Sequence, residues 1–188
     1  MPDGSHLGRG PRAAFLTAPN LVTFGRLCAV PLAFWLVLER RLDLAFFLFV
    51  LAGLSDAVDG WLARRYGGNS IGAMMDPVAD KALLVTMYVT LAVVRVLPDW
   101  LAILVVFRDL LIVGGVLILN VMGQPVVIRP LYVSKVNTAL QIVLIALTLF
   151  LTGFDMMAPW LMQILVWIVT ASTLLSGAAY VWVAAHGR

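Results

Sequence analysis

Apolar residues run along this chain in six blocks, near 21–38, 43–66, 72–95, 98–121, 131–152 and 157–185, each close to the length of a bilayer crossing. A helix needs roughly 20 apolar residues to span the hydrocarbon core, so each block reads as one membrane span. The breaks are short and carry turn or charge signals: Glu39-Arg40-Arg41, Arg65 to Ser70, Leu97-Pro98-Asp99, Gly123 to Pro130, and Gly153-Phe154-Asp155. No strand-like alternation is sustained between them. Backbone in hydrocarbon must satisfy its own hydrogen bonds, so helices are the expected spanning element. The expected fold is an all-α integral membrane protein with six transmembrane helices. It forms one domain over 1–188, with a polar segment at 1–19 and the six-helix unit at 20–188.

Composition supports lipid as the solvent. The 188 residues are 62% hydrophobic and 12% charged, with a mean hydropathy of +1.00, too few charges to cover a water-soluble surface. The net charge of +3 comes from basic residues scattered between apolar blocks, with no patch that would suit nucleic acid. Under the positive-inside rule, Arg9, Arg12, Arg64, Arg65, Arg129, Lys135 and Arg188 fall on one side, against Arg40, Arg41 and Arg95 on the other. Both termini are therefore expected in the cytoplasm. The first residues show neither a signal-peptide nor a transit-peptide pattern. The single cysteine, Cys28, lies in an apolar block and reads as a small buried residue.

Four aspartates interrupt this apolar background. Each charge inside a span costs at least ~2.5 kcal/mol on insertion scales, so Asp56, Asp59, Asp76 and Asp80 require partners or a function. Asp56 and Asp59 stand at i, i+3 and share one helical face; Asp76 and Asp80 stand at i, i+4 and share another. A short connection makes blocks two and three expected antiparallel neighbours, with both pairs converging on one pocket at the cytoplasmic face. Close carboxylates repel unless countercharge is supplied. An all-oxygen set with no His or Cys suits Mg²⁺, Mn²⁺ or Ca²⁺, and can seat two ions; Mg²⁺ is favoured for its pairing with phosphates. The plainer alternative for any one acid is a salt bridge to Lys81, Arg64 or Arg65, or a helix cap. Gly60 and Ala63 leave a small surface beside the acids, open to a flat ligand, and Arg64 offers a fork for a diphosphate.

These residues, Asp56-Ala-Val-Asp59-Gly60-Trp-Leu-Ala63-Arg64 followed by Gly72-Ala-Met-Met-Asp76-Pro-Val-Ala-Asp80, resemble the signature of the CDP-alcohol phosphatidyltransferase family. The spacer from Arg65 to Ile71 is one residue shorter than that signature usually carries. The resemblance implies that the four aspartates ligate metals, with Asp80 also the general base. It implies contacts from Asn20, Thr23, Gly60, Arg64 and Ser70 to the nucleotide of CDP-diacylglycerol, with Asn69 the alternative to Ser70 in the shortened spacer; for Asn20 and Thr23 the plainer alternative is helix capping. A homodimer is likewise implied. Asp76-Pro-Val-Ala-Asp80-Lys81 is similar to the branch that makes phosphatidylglycerophosphate or cardiolipin. Phe107-Arg108-Asp109 and Ser134 to Gln141 look closer to cardiolipin synthases of the mitochondrial and bacterial type. The expected reaction is transfer of a phosphatidyl group from CDP-diacylglycerol to phosphatidylglycerol, with glycerol 3-phosphate as the alternative acceptor, in a bacterial cytoplasmic membrane.

Arg108 and Lys135 are costly charges inside apolar blocks and are candidate contacts for the acceptor's phosphate, the alternative being ion pairing with Asp109 or another acid. Asp109, turned about 100° from Arg108, is not expected to ligate metal. A divalent cation transporter is the rival from another class. Acids near one face, with no internal repeat, weigh against it.

Overall fold

The computed structural model describes residues 18–66, 72–121 and 132–186, and all of its regular structure there is helical. The elements are α1 (Ala18–Leu38), α2 (Leu42–Tyr66), α3 (Gly72–Val93), α4 (Asp99–Val121), α5 (Tyr132–Gly153) and α6 (Pro159–His186). Their ends follow the expected blocks to within a few residues, because apolar runs of this length can satisfy their backbone only as helices. Pro31 sits inside α1, which a packed membrane helix tolerates. Asn20 and Thr23 lie within α1.

The connections after α1, α3 and α5 share one geometry. Arg40, Arg95 and Asp155 adopt left-handed φ values of 59°, 62° and 53°. Around each, two reversed hydrogen bonds close the helix, as in Arg40 N–H to Val37 O at 3.1 Å and Arg41 N–H to Leu36 O at 2.9 Å. This is a Schellman end built without glycine at its left-handed position. The adjoining starts of α2 and α4 carry Asp43 and Asp99, whose charge complements the helix dipole.

Helix pairings among the described residues close into a ring in the order α1, α2, α5, α6, α4, α3, with α3 also touching α5 across it. Among the described residues α1 packs against both α2 and α3. Met87, Tyr88 and Leu91 of α3, Leu101 and Val105 of α4, and Leu144, Ile145 and Leu149 of α5 form the apolar centre. Buried Ala33, Ala45, Ala52 and Ala102 let the backbones approach closely.

Outside and inside are inverted relative to a water-soluble bundle. Large apolar side chains such as Ile103 (68% exposed), Leu110, Val113 and Leu175 face outward, while Arg108, Asp109, Asn137, Gln141 and Ser176 are buried. Only a solvent that is itself apolar makes that arrangement favourable. Tyr132–Gly153 and Pro159–Val183 are long and apolar enough to cross a membrane. Cys28 is exposed rather than buried, since an outward position on α1 meets lipid and carries no penalty for a small apolar thiol.

Candidate active site

The acid pairs stand where two helices meet the same end of the bundle. Asp56 and Asp59 lie near the end of α2, and Asp76 and Asp80 near the start of α3. The helical backbone is continuous through each pair, so each keeps its shared face. Asp80 is half-buried and engaged by a neighbour. The side chains of Asp56, Asp59, Asp76, Arg64, Asn20 and Thr23, and the surroundings of Gly60, lie outside the described residues, as does Ser70 entirely. Among the described residues no three acids, histidines or cysteines gather into a metal-sized group.

Beside Asp80 the structure assembles a polar cluster from four helices. Lys81 Nζ lies 2.6 Å from Asp109 Oδ1 of α4. The same oxygen accepts from Arg108 Nη1 at 2.9 Å. Arg108 is 3% exposed, and its Nη2 donates to Ser134 Oγ of α5 at 2.7 Å and to Ser176 Oγ of α6. Its guanidinium carbon sits 5.8 Å from the centre of the Tyr180 ring, a cation–π contact that lowers the cost of the buried charge. Asp109 therefore serves two cations. Adjacent residues on a helix can pair in this way because the arginine stem is long enough to curl round the turn.

Deeper in the bundle, Asn137 Oδ1 accepts from Ser172 Oγ at 2.7 Å and Thr173 Oγ1 at 2.9 Å, joining α5 to α6. Tyr88 Oη donates to the Gln141 carbonyl at 3.2 Å, joining α3 to α5. Lys135 is exposed, with its ammonium 5.7 Å from the centre of the Tyr132 ring. Of the two expected acceptor contacts, Lys135 is open and Arg108 is enclosed by partners. The sequence reading missed Ser134, Asn137, Thr173 and Ser176 as a group. Their signal was present as polar residues at i, i+3 on α5 and again on α6, inside otherwise apolar runs.

A family model described as CDP-alcohol phosphatidyltransferase matches residues 16–176, a span that includes both acid pairs and the polar cluster except Tyr180. Three relatives illustrate the range. The cardiolipin synthase (CMP-forming) of Rattus norvegicus is 31% identical, over 86% of this chain and 59% of its own. The chloroplastic CDP-diacylglycerol–glycerol-3-phosphate 3-phosphatidyltransferase 1 of Oryza sativa subsp. japonica is 34% identical, over 91% and 58%. The CDP-diacylglycerol–glycerol-3-phosphate 3-phosphatidyltransferase of Rickettsia felis is 30% identical, over 86% and 92%. The chain thus spans about three fifths of the rat and rice proteins and nearly all of the Rickettsia one.

Proposed function

The chain belongs to the CDP-alcohol phosphatidyltransferase family, and from that premise we propose that it transfers a phosphatidyl group from CDP-diacylglycerol to phosphatidylglycerol, giving cardiolipin and CMP. The observation that carries this reading is the family match across both acid pairs, each held on a continuous helix. The alternative acceptor, glycerol 3-phosphate, is favoured by the names of the rice and Rickettsia relatives. The cation-transporter reading gives way to family membership.

The donor set fits hard divalent cations, since four carboxylates without His or Cys offer oxygen alone. Asp56, Asp59, Asp76 and Asp80 would hold two ions, Mg²⁺ or Mn²⁺, which supply charge stabilisation to the diphosphate as it is cleaved. The chain's own groups do the rest. Asn20, Thr23, Gly60, Arg64 and Ser70 bind the cytidine and diphosphate. The acceptor's hydroxyl oxygen forms a bond to the lipid-bearing phosphorus, the bond from that phosphorus to the bridging oxygen breaks, and CMP departs. Asp80 takes the hydroxyl proton. Lys135 meets the acceptor's phosphate, and Arg108, bonded to the neighbouring Ser134, adds its positive field. Cys28 is remote in sequence from the acids and no His accompanies it, so direct displacement with inversion at phosphorus is expected. Six spans, cytoplasmic termini, a homodimer and a site facing the cytoplasm of a bacterial inner membrane complete the proposal.

The test supplies purified protein with CDP-diacylglycerol, Mg²⁺ or Mn²⁺, and one acceptor at a time. CMP release with phosphatidylglycerol supports the reading, and release with glycerol 3-phosphate alone selects the alternative. Metal-independent release, or none with either acceptor, overturns both.

A further inference from the structure

Lys81 poses a problem for the site just described. It follows Asp80 directly, and its flexible stem could carry an ammonium into a cluster of four carboxylates. There it would act as a built-in countercharge and compete with divalent cations for the same oxygens. The structure places its Nζ 2.6 Å from Asp109 Oδ1 of α4.

Resting on the four-aspartate reading, we propose that Asp109 is a positioning residue that holds the Lys81 ammonium off the acid cluster and so keeps that cluster open to metal. The anchoring is a chain with a fixed end. Arg108 is locked by Ser134 and Ser176 from two other helices, and its Nη1 holds Asp109 Oδ1 at 2.9 Å. Asp109, 10% exposed at its side chain, then holds Lys81, whose stem is part-exposed while its Nζ is buried at the ion pair. Lys81 Nζ makes no hydrogen bond among the described residues, so the ion pair with Asp109 is its described anchor. Neutralising Asp109 would leave Arg108 with its two serines and the Tyr180 ring, and would release Lys81.

The experiment measures Mn²⁺ binding to detergent-purified protein without substrate, by the loss of the free-ion EPR signal, beside CMP release and an unfolding curve for each variant. Asp109→Asn is expected to weaken Mn²⁺ binding roughly tenfold, as a released positive charge one residue along the chain from Asp80 would by competing for the cluster. The double variant Asp109→Asn with Lys81→Met should recover most of that loss, because the competitor is gone. A purely structural role for Asp109 predicts no recovery, and that result overturns the proposal, as does unchanged binding in Asp109→Asn. Should Asp109→Asn not fold, Asp109→Glu decides. It keeps the charge and is expected to stay within about threefold of the wild-type affinity, and a tenfold loss there counts against the proposal. A wild-type chain that binds no Mn²⁺ overturns the four-aspartate reading itself, a failure distinct from these.

Discussion

Arg108 Nη2 donates to Ser134 Oγ at 2.7 Å, so the middle of α4 is tied to the first turn of α5. The same nitrogen meets Ser176 of α6, and Nη1 meets Asp109, which makes this buried guanidinium the point where three helices are joined. Arg108→Ala is therefore expected to cost about 3 kcal/mol, the lower end for breaking a buried pair, since Asp109 retains Lys81. Lys135→Ala, at an exposed position, should cost no more than about 0.5 kcal/mol and instead raise the acceptor KM. Unfolding in SDS and acceptor titrations of CMP release separate the two. An Arg108→Ala protein as stable as wild type would refute the joining role.

Asn137 offers a second link between helices. Its Oδ1 accepts hydroxyls from Ser172 and Thr173, one of them with no other described acceptor, while Ser172 also reaches the Val169 carbonyl at 3.0 Å. Interhelical hydrogen bonds in membranes average only ~0.6 kcal/mol, so Asn137→Ala should destabilise by roughly 1–2 kcal/mol once the lost packing is included. The unfolding titration checks this, and a loss under a few tenths would show that the hydroxyls find partners elsewhere.

Gly153, at the end of α5, lies against the start of α2. A Cβ built there would come within 2.6 Å of the Asp43 backbone nitrogen and 2.8 Å of the Leu42 carbonyl carbon. Backbone cannot yield as a side chain can. Gly153→Ala is expected to cost about 1–3 kcal/mol through forced separation of α2 and α5, despite alanine's better helix propensity. A stabilised Gly153→Ala variant would contradict the packing of these helices.

Gly153 also marks the limit of what could be read in advance. A glycine in the Gly153-Phe154-Asp155 break suggests the left-handed turn position, yet that conformation belongs to Asp155, and the glycine serves close approach. Helix positions were legible because lipid leaves the backbone one solution, and the acid spacings because the helical period assigns a face. Neighbour order was not: nothing in a single chain says that α1 packs on both α2 and α3, since azimuth depends on all the packing at once. For the same reason Lys81 could be read as a salt-bridge partner for a nearby aspartate, but not as the partner of Asp109.

The sharpest prediction concerns Asp80, which the proposal loads with two roles. Asp80→Asn keeps the side chain's shape and loses both the proton acceptor and an anionic metal ligand. General-base catalysis is worth roughly 10²–10⁴-fold, so CMP release should fall by at least that much. Asp76→Asn removes a ligand without the base. Raising Mg²⁺ or Mn²⁺ should therefore restore a substantial part of its activity and little of Asp80→Asn's, because mass action can refill a weakened site but cannot supply a base. Chelation with EDTA should abolish wild-type release, and added Mg²⁺ or Mn²⁺ should return it. Metal titrations of initial rates for the two variants make the comparison. Equal rescue of both would strip Asp80 of its role as base and leave it a ligand like the other three.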